Sequence, residues 1–268
     1  MNVSEIIAAL DSQDDALPRE ALEEAMARPA EVTEPLLELA REVVRDPAKT
    51  LDPENNSMGY VLAFFLLAQF RERRACPVLV ETLSLPGVDM DALFGDVLIE
   101  DMARILASVS GGETLEIRAL IENPEIDPRV RGAALGALFC LVYCDVVERQ
   151  EAVEYLAELF HDKLERQPSK VWTALVRTAS NLGPEELYDE IRQAHDEGLL
   201  VGRGIDYLMD EVDDQRVWGL EAGSPQLAHT GAHFLIGNTL REIGWSAVFS
   251  EETRLRSSDY SEESSMEA

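Results

Sequence analysis

The sequence predicts an all-α protein built from stacked helix pairs, with helical caps at both ends. Three observations predict it. Apolar residues recur with a period of about 3.6 almost throughout, and helix-start and helix-stop residues punctuate the chain at similar intervals. No segment alternates strictly over six residues, and no Asn-Gly or Asp-Gly hairpin turn occurs.

The period is clear in residues 34–44, where Leu36, Leu37, Leu39, Ala40, Val43 and Val44 fall on one helical face. Val153, Leu156, Leu159 and Phe160 repeat it, with Glu154, Glu158 and Asp162 on the other side. Asp52-Pro53, Asp127-Pro128 and Ser224-Pro225 each put a capping side chain before Pro, as a helix start wants, because the missing N–H of Pro has no intrahelical partner there. Leu17-Pro18 and Gly183-Pro184 also open helices. Gly87, Gly111-Gly112, Gly183 and Gly198 close them.

Between these marks lie four helix pairs, at about 60–85, 95–121, 129–164 and 171–194. Their starts are roughly 34 to 42 residues apart, the range of HEAT and armadillo repeats. First helices carry small residues among large ones (Ala103 and Ala107; Gly132, Ala133 and Ala137; Ala174 and Ala179), which lets neighbours approach closely. The expected architecture is a HEAT/armadillo-like α-solenoid of about four pairs. Capping helices take residues 1–56, the repeats 57–198, a C-terminal helical cap 199–249 and a disordered tail 250–268. The C-terminal cap is read as a short acidic helix over 207–213 and a last apolar helix over about 232–243.

Four segments carry a family resemblance. They are Gly95-Asp96-Val97-Leu98-Ile99-Glu100-Asp101-Met102-Ala103-Arg104, Arg131-Gly132-Ala133-Ala134-Leu135-Gly136-Ala137-Leu138, Val171-Trp172-Thr173-Ala174-Leu175-Val176 and Ile191-Arg192-Gln193-Ala194-His195-Asp196-Glu197-Gly198. Over about residues 15–215 the chain resembles the DUF1186 proteins, a bacterial family of unknown function. The resemblance implies a HEAT-like superhelix and no particular activity. Several such proteins carry a C-terminal Cys-rich zinc motif similar to the tail of the SecA motor. This sequence departs from them, with no Cys after Cys144.

Charge narrows the partners. The formal net charge is −29 and the acidic residues are spread over the whole chain, so direct binding to nucleic acid or anionic lipid is disfavoured. Another protein is the expected partner, and a basic one matches the charge. Mimicry of nucleic acid toward a basic protein is an alternative, and plain solubility explains the acidity as well. The longest apolar run, 60–68, is about half of a membrane span and reads as a buried helix. With no basic, apolar leader at the N-terminus, the expected location is the cytoplasm. Cys76, Cys140 and Cys144 are too few for a disulfide framework and read as buried thiols.

Candidate chemistry is sparse. His229 and His233, at i and i+4, could share a metal on one helical face, but Thr230 stands where the zinc-protease pattern needs Glu, and only Glu242 offers a third ligand. Asp96 and Glu100 share a face within an acidic stretch that includes Asp89, Asp91 and Asp101, and could do acid–base work or hold a divalent cation. A structural tie between repeats, with Asp96 beside Arg104 or a neighbouring Arg, is the stronger reading. Arg71, Arg73 and Arg74, with Arg129 and Arg131, could meet an acidic peptide or a phosphate, or simply balance carboxylates. There is no phosphate-binding or nucleophile-elbow motif, and no catalytic residue, metal or cofactor is expected. The reading is therefore a non-catalytic protein-binding scaffold, against a metal-dependent enzyme built on Asp96/Glu100 or His229/His233.

Overall fold

The computed structural model describes residues 1–13, 16–52, 54–55, 57–183, 185–218 and 234–243, the side chains of 215–218 excepted. Among them every regular element is helical, and the single β-bridge joins Ser169 to Leu200. The chain opens with α1 (Val3–Leu10), α2 (Arg19–Ala27), α3 (Pro29–Arg45) and the one-turn α4 (Pro47–Thr50). There follow α5 (Gly59–Gln69) and α6 (Ala75–Leu83), then α9 (Met102–Ser110) and α10 (Leu115–Glu122). Next come α11 (Pro128–Tyr143) with α12 (Arg149–Glu158), which runs on into a π-helical turn (Leu159–Lys163). Then come α13 (Lys170–Asn181) and α14 (Tyr188–Asp196), the latter entered through a 3₁₀ turn (Glu185–Leu187). Two short helices, α7 (Met90–Phe94) and α8 (Val97–Glu100), precede α9; α15 (Ile205–Trp218) and α16 (Thr239–Ile243) close the described chain.

Local chemistry accounts for the boundaries. Asp127 accepts from the backbone N–H of Arg129 at 2.8 Å, with Pro128 at the first helical position of α11. Gly111 ends α9 in the left-handed region at φ 61°, where a Cβ would also collide with the Arg73 side chain at 2.6 Å. Asp52 instead caps a turn, accepting from Glu54 N at 2.9 Å, and no helix starts there among the described residues.

One row of helices forms the spine. In order, α3 packs on α5, α5 on α9, α9 on α11, α11 on α13 and α13 on α15. Helices α6 and α10 pack on each other and against that row, and α12 lies against α11 and α13. Gly59 to Ala68 of α5 are buried all round, because α3, α6, α9 and α16 surround that helix. The small residues sit where the row is tightest. A Cβ on Gly136 of α11 would stand 3.0 Å from the Cβ of Ala103 on α9, and one on Gly132 would stand 3.4 Å from that of Ala174 on α13.

Side-chain bonds between successive units repeat the same spacing. Arg73 with Glu113, Arg74 with Glu34 and Cys76 with Glu116 each join residues 40 apart. Arg118–Glu151, Arg131–Glu165, Arg149–Glu186 and Arg166–Glu197 join residues 33, 34, 37 and 31 apart. Exposed pairs of this kind contribute about 0–1 kcal/mol each. Burial of the apolar row therefore supplies the strength, and the pairs fix register. Arg131 is the exception, being 1% exposed, with its guanidinium bonded to Glu165 and to Ile121 O at 2.8 Å.

The C-terminal segment departs from the sequence reading. Of the apolar stretch expected as a helix over about 232–243, residues 232 and 233 lie outside the described residues, 234–238 have no regular structure, and helix starts at Thr239, after Asn238 accepts from Arg241 N at 3.0 Å. Burial against other helices gives this stretch its apolar content. Helix α16 returns to α2 and α5, at the opposite end of the row from α15.

Gly136→Leu should lower stability by about 2 kcal/mol, the usual cost of overpacking a filled contact. Thermal unfolding by circular dichroism should show a melting temperature lower by roughly 4–8 °C.

Candidate functional site

The strongest concentration of buried polar chemistry lies where residues 234–243 cross α5, α9 and α11. Arg104 on α9 is 4% exposed and holds three acceptors. Its Nη1 donates to Asp101 Oδ1 at 2.9 Å, its Nε to Phe234 O at 2.8 Å, and its Nη2 lies 2.9 Å from Glu242 Oε2. One turn further along α9, Ser108 donates to Arg104 O at 2.7 Å and accepts from Ile236 N at 2.9 Å. Gln69, closing α5, accepts from both the backbone N–H and the hydroxyl of Thr239 at 2.8 Å. Ile236, Thr239 and Ile243 are wholly buried. Phe234 sets its ring edge-on to Tyr143 of α11, with centroids 5.3 Å apart.

Arg71 completes the row from an unusual backbone position. It stands at φ 57°, where a helix end normally places Gly, with Arg71 N bonded to Ala68 O and Glu72 N to Leu67 O. A side chain in that conformation costs about 1 kcal/mol. Here the guanidinium donates to Ile236 O at 2.7 Å as well as to Ala68 O. Arg71, Arg104, Ser108 and Gln69 thus all engage main-chain atoms of 234–239, a mode of contact that does not depend on which side chains the segment carries.

Asp101 is the unbalanced member. It is 1% exposed, and its Oδ2 has no hydrogen-bond partner among the described residues. Burial raises its carboxyl to about 6, against the pull of Arg104, and the charges of Glu242 and Glu100 push the same way as burial. The helix expected to run on from Gly95 breaks at Asp101, where the backbone stands at φ −124°. The Asp101 carboxylate is committed to Arg104 and makes no capping bond at the start of α9, and Gly95 turns at φ 54°.

The sequence candidates fall differently from expectation. Asp96 is half-buried and Glu100 exposed on the one-turn α8, and the carboxylate paired with Arg104 is Asp101 instead of Asp96. In an unbroken helix both would lie near the Arg104 face; the break at Asp101 removes Asp96 from it. His229 and His233 lie outside the described residues, and Glu242, considered as their third ligand, is paired with Arg104. Among the described residues no three His, Cys, Asp or Glu side chains are placed to share a metal ion. The basic cluster is divided. Arg71 reaches 234–243, Arg73 and Arg74 pair with Glu113 and with Glu34 and Glu72, Arg129 gathers Asp89, Asp91 and Asp127, and Arg131 holds Glu165. Cys140 is buried, its thiol pushed up to about 12 by desolvation, and Cys76 likewise. Sequence reasoning missed Gln69, Ser108 and the extended segment; a polar side chain inside an apolar helix face, as in Leu106-Ala107-Ser108-Val109, was the available signal.

A family model described as "Protein of unknown function (DUF1186)" matches residues 1–250. Two relatives, each named only "Uncharacterized protein", come from Chlamydia trachomatis serovar D and Chlamydia muridarum. Each is 38% identical over 200 residues, covering 75% of this chain and 79% and 80% of their own lengths. No solved structure matches the chain.

The raised carboxyl of Asp101 gives a signed pH prediction. An unfolded Asp titrates near 3.9, so between that value and about 6 the folded state binds the extra proton. This group therefore adds stability as pH falls through 6 and loses it as pH rises. Asp101→Asn has no such proton. Urea unfolding at pH 7.5 and 5.0 should show wild type gaining on Asp101→Asn by on the order of 1 kcal/mol at the lower pH. A difference that does not change with pH contradicts the assignment.

Proposed function

The chain belongs to the DUF1186 family, and we propose that it works as a non-catalytic, HEAT-like helix-pair scaffold that binds another protein in the cytoplasm. The observation that carries this reading is the spine of α3, α5, α9, α11, α13 and α15, each packed on the next, with ties between units recurring at 31 to 41 residues. Stacked units of this kind grow in one direction and create long surfaces instead of one enclosed pocket. Among the described residues, the most concentrated polar side chains bond main-chain atoms of 234–239.

Charge supports a protein partner. At −29 the chain repels nucleic-acid phosphates, and a basic protein gains from the field. Among the described residues no helix is long and apolar enough to cross a membrane. Three cysteines, two of them buried, are too few for a disulfide framework and suit a reducing compartment.

Affinity purification of the tagged protein from its host, with mass spectrometry at low and moderate salt, should return a reproducible stoichiometric partner. A basic partner should be held more weakly at the higher salt. No partner at either salt, together with stoichiometric metal in the purified protein, would overturn the scaffold reading in favour of metal chemistry.

A further inference from the structure

Three features single out the surface beneath residues 234–243. First, the helix row meets this segment through side chains that bond its main chain: Arg71 to Ile236 O, Arg104 to Phe234 O, Ser108 to Ile236 N and Gln69 to Thr239 N. Second, the segment is seated the way a bound peptide is, with Ile236 and Thr239 wholly buried and Phe234 half-exposed at the edge against Tyr143. Third, the seat is imperfect. Asp101 and Glu242 both bond the one Arg104 guanidinium, two acceptors around a single cation, while the buried Oδ2 of Asp101 has no donor among the described residues. An unanswered buried acceptor costs about 1–3 kcal/mol, and a second carboxylate nearby cannot answer it.

We propose that this face of α5, α9 and α11 is a binding groove for a segment of a partner protein that is extended where residues 234–238 lie and helical where α16 lies. That segment is apolar where Ile236 sits and carries a side-chain amide in place of the Glu242 carboxylate; residues 234–243 are the chain's own exchangeable occupant. Main-chain readout explains how one groove accepts both segments. The amide follows from donor–acceptor chemistry: its carbonyl takes the Arg104 Nη2 donor, and its NH₂ supplies the hydrogen that Asp101 Oδ2 lacks. It also removes one of two negative charges from a site that burial has already made unfavourable for them. The resident segment competes by being tethered, at an effective concentration in the millimolar range. An incoming peptide must exceed that through better pairing. This inference rests on the scaffold reading and names its binding surface and ligand class.

The test uses the full chain as wild type and as Ile236→Ala and Glu242→Ala, which loosen the resident segment to different degrees. Two fluorescein-labelled decapeptides serve as probes, one with the sequence of residues 234–243 and one carrying Glu242→Gln. Anisotropy titrations should show at least tenfold tighter binding to Ile236→Ala than to wild type. The Glu242→Gln peptide should bind at least threefold tighter than the unmodified one. Adding Ser108→Ala to the Ile236→Ala chain should weaken binding several-fold, through loss of the acceptor for a main-chain N–H. If neither peptide binds either loosened chain while circular dichroism shows both still helical, the proposal is overturned. A dimer of Ile236→Ala that forms with concentration and excludes the peptide also overturns it, in favour of exchange between copies. A host partner captured equally by wild type and Ile236→Ala, with no peptide binding, would remove the groove and leave the scaffold standing.

Discussion

Arg104 sits where water cannot reach it, so every N–H of its guanidinium has to find a protein acceptor or leave the fold with an uncompensated buried charge. Removing one partner from such a pair costs about 3–5 kcal/mol. The acceptors come from three places: Asp101 at the start of its own helix, the Phe234 carbonyl and the Glu242 carboxylate. Meeting that requirement draws a segment 130 residues away in sequence onto α9. Once Phe234 O is fixed, Ile236 reaches Ser108 and Arg71, and Thr239 reaches Gln69. The polar contacts on this face follow from one buried cation.

The helix row makes that position possible. Small residues at Ala103, Gly132, Gly136 and Ala174 bring α9, α11 and α13 close together, and the apolar faces of α5 and α9 are buried on nearly all sides. Around this core the ion pairs between units are mostly exposed and individually weak, yet they recur with the spacing of the repeat. They also use much of the chain's limited arginine, leaving a strongly acidic exterior. On the interior face Arg71 and Arg104 hold main-chain carbonyls of a segment more than a hundred residues away in sequence.

The helices were legible in the sequence because their signals are local. Asp127-Pro128 starts a helix and Gly111 stops one through the chemistry of adjacent residues, and the 3.6-residue period requires only a dozen positions to be seen. The groove was not legible, because its chemistry joins residues more than a hundred apart. Phe234, Leu235 and Ile236 look helical in composition, yet they are apolar because an extended segment is buried; Gly237 and Asn238 were the available hints that the helix starts later. Asp101, three residues before Arg104, is a carboxylate bonded to that guanidinium, a partner the sequence reading did not single out.

Backbone hydrogen exchange by mass spectrometry, compared between wild type and Arg104→Lys, tests the central claim most directly. Lysine keeps the charge but cannot bond Asp101, Glu242 and the Phe234 carbonyl together. In wild type, peptides covering Ile236 and Thr239 should exchange slowly, because both amides are bonded to side chains of the helix row. In Arg104→Lys that protection should fall while α11 and α13 keep theirs. Fast exchange of 236–239 in the wild type, or equal protection in both proteins, would contradict the account.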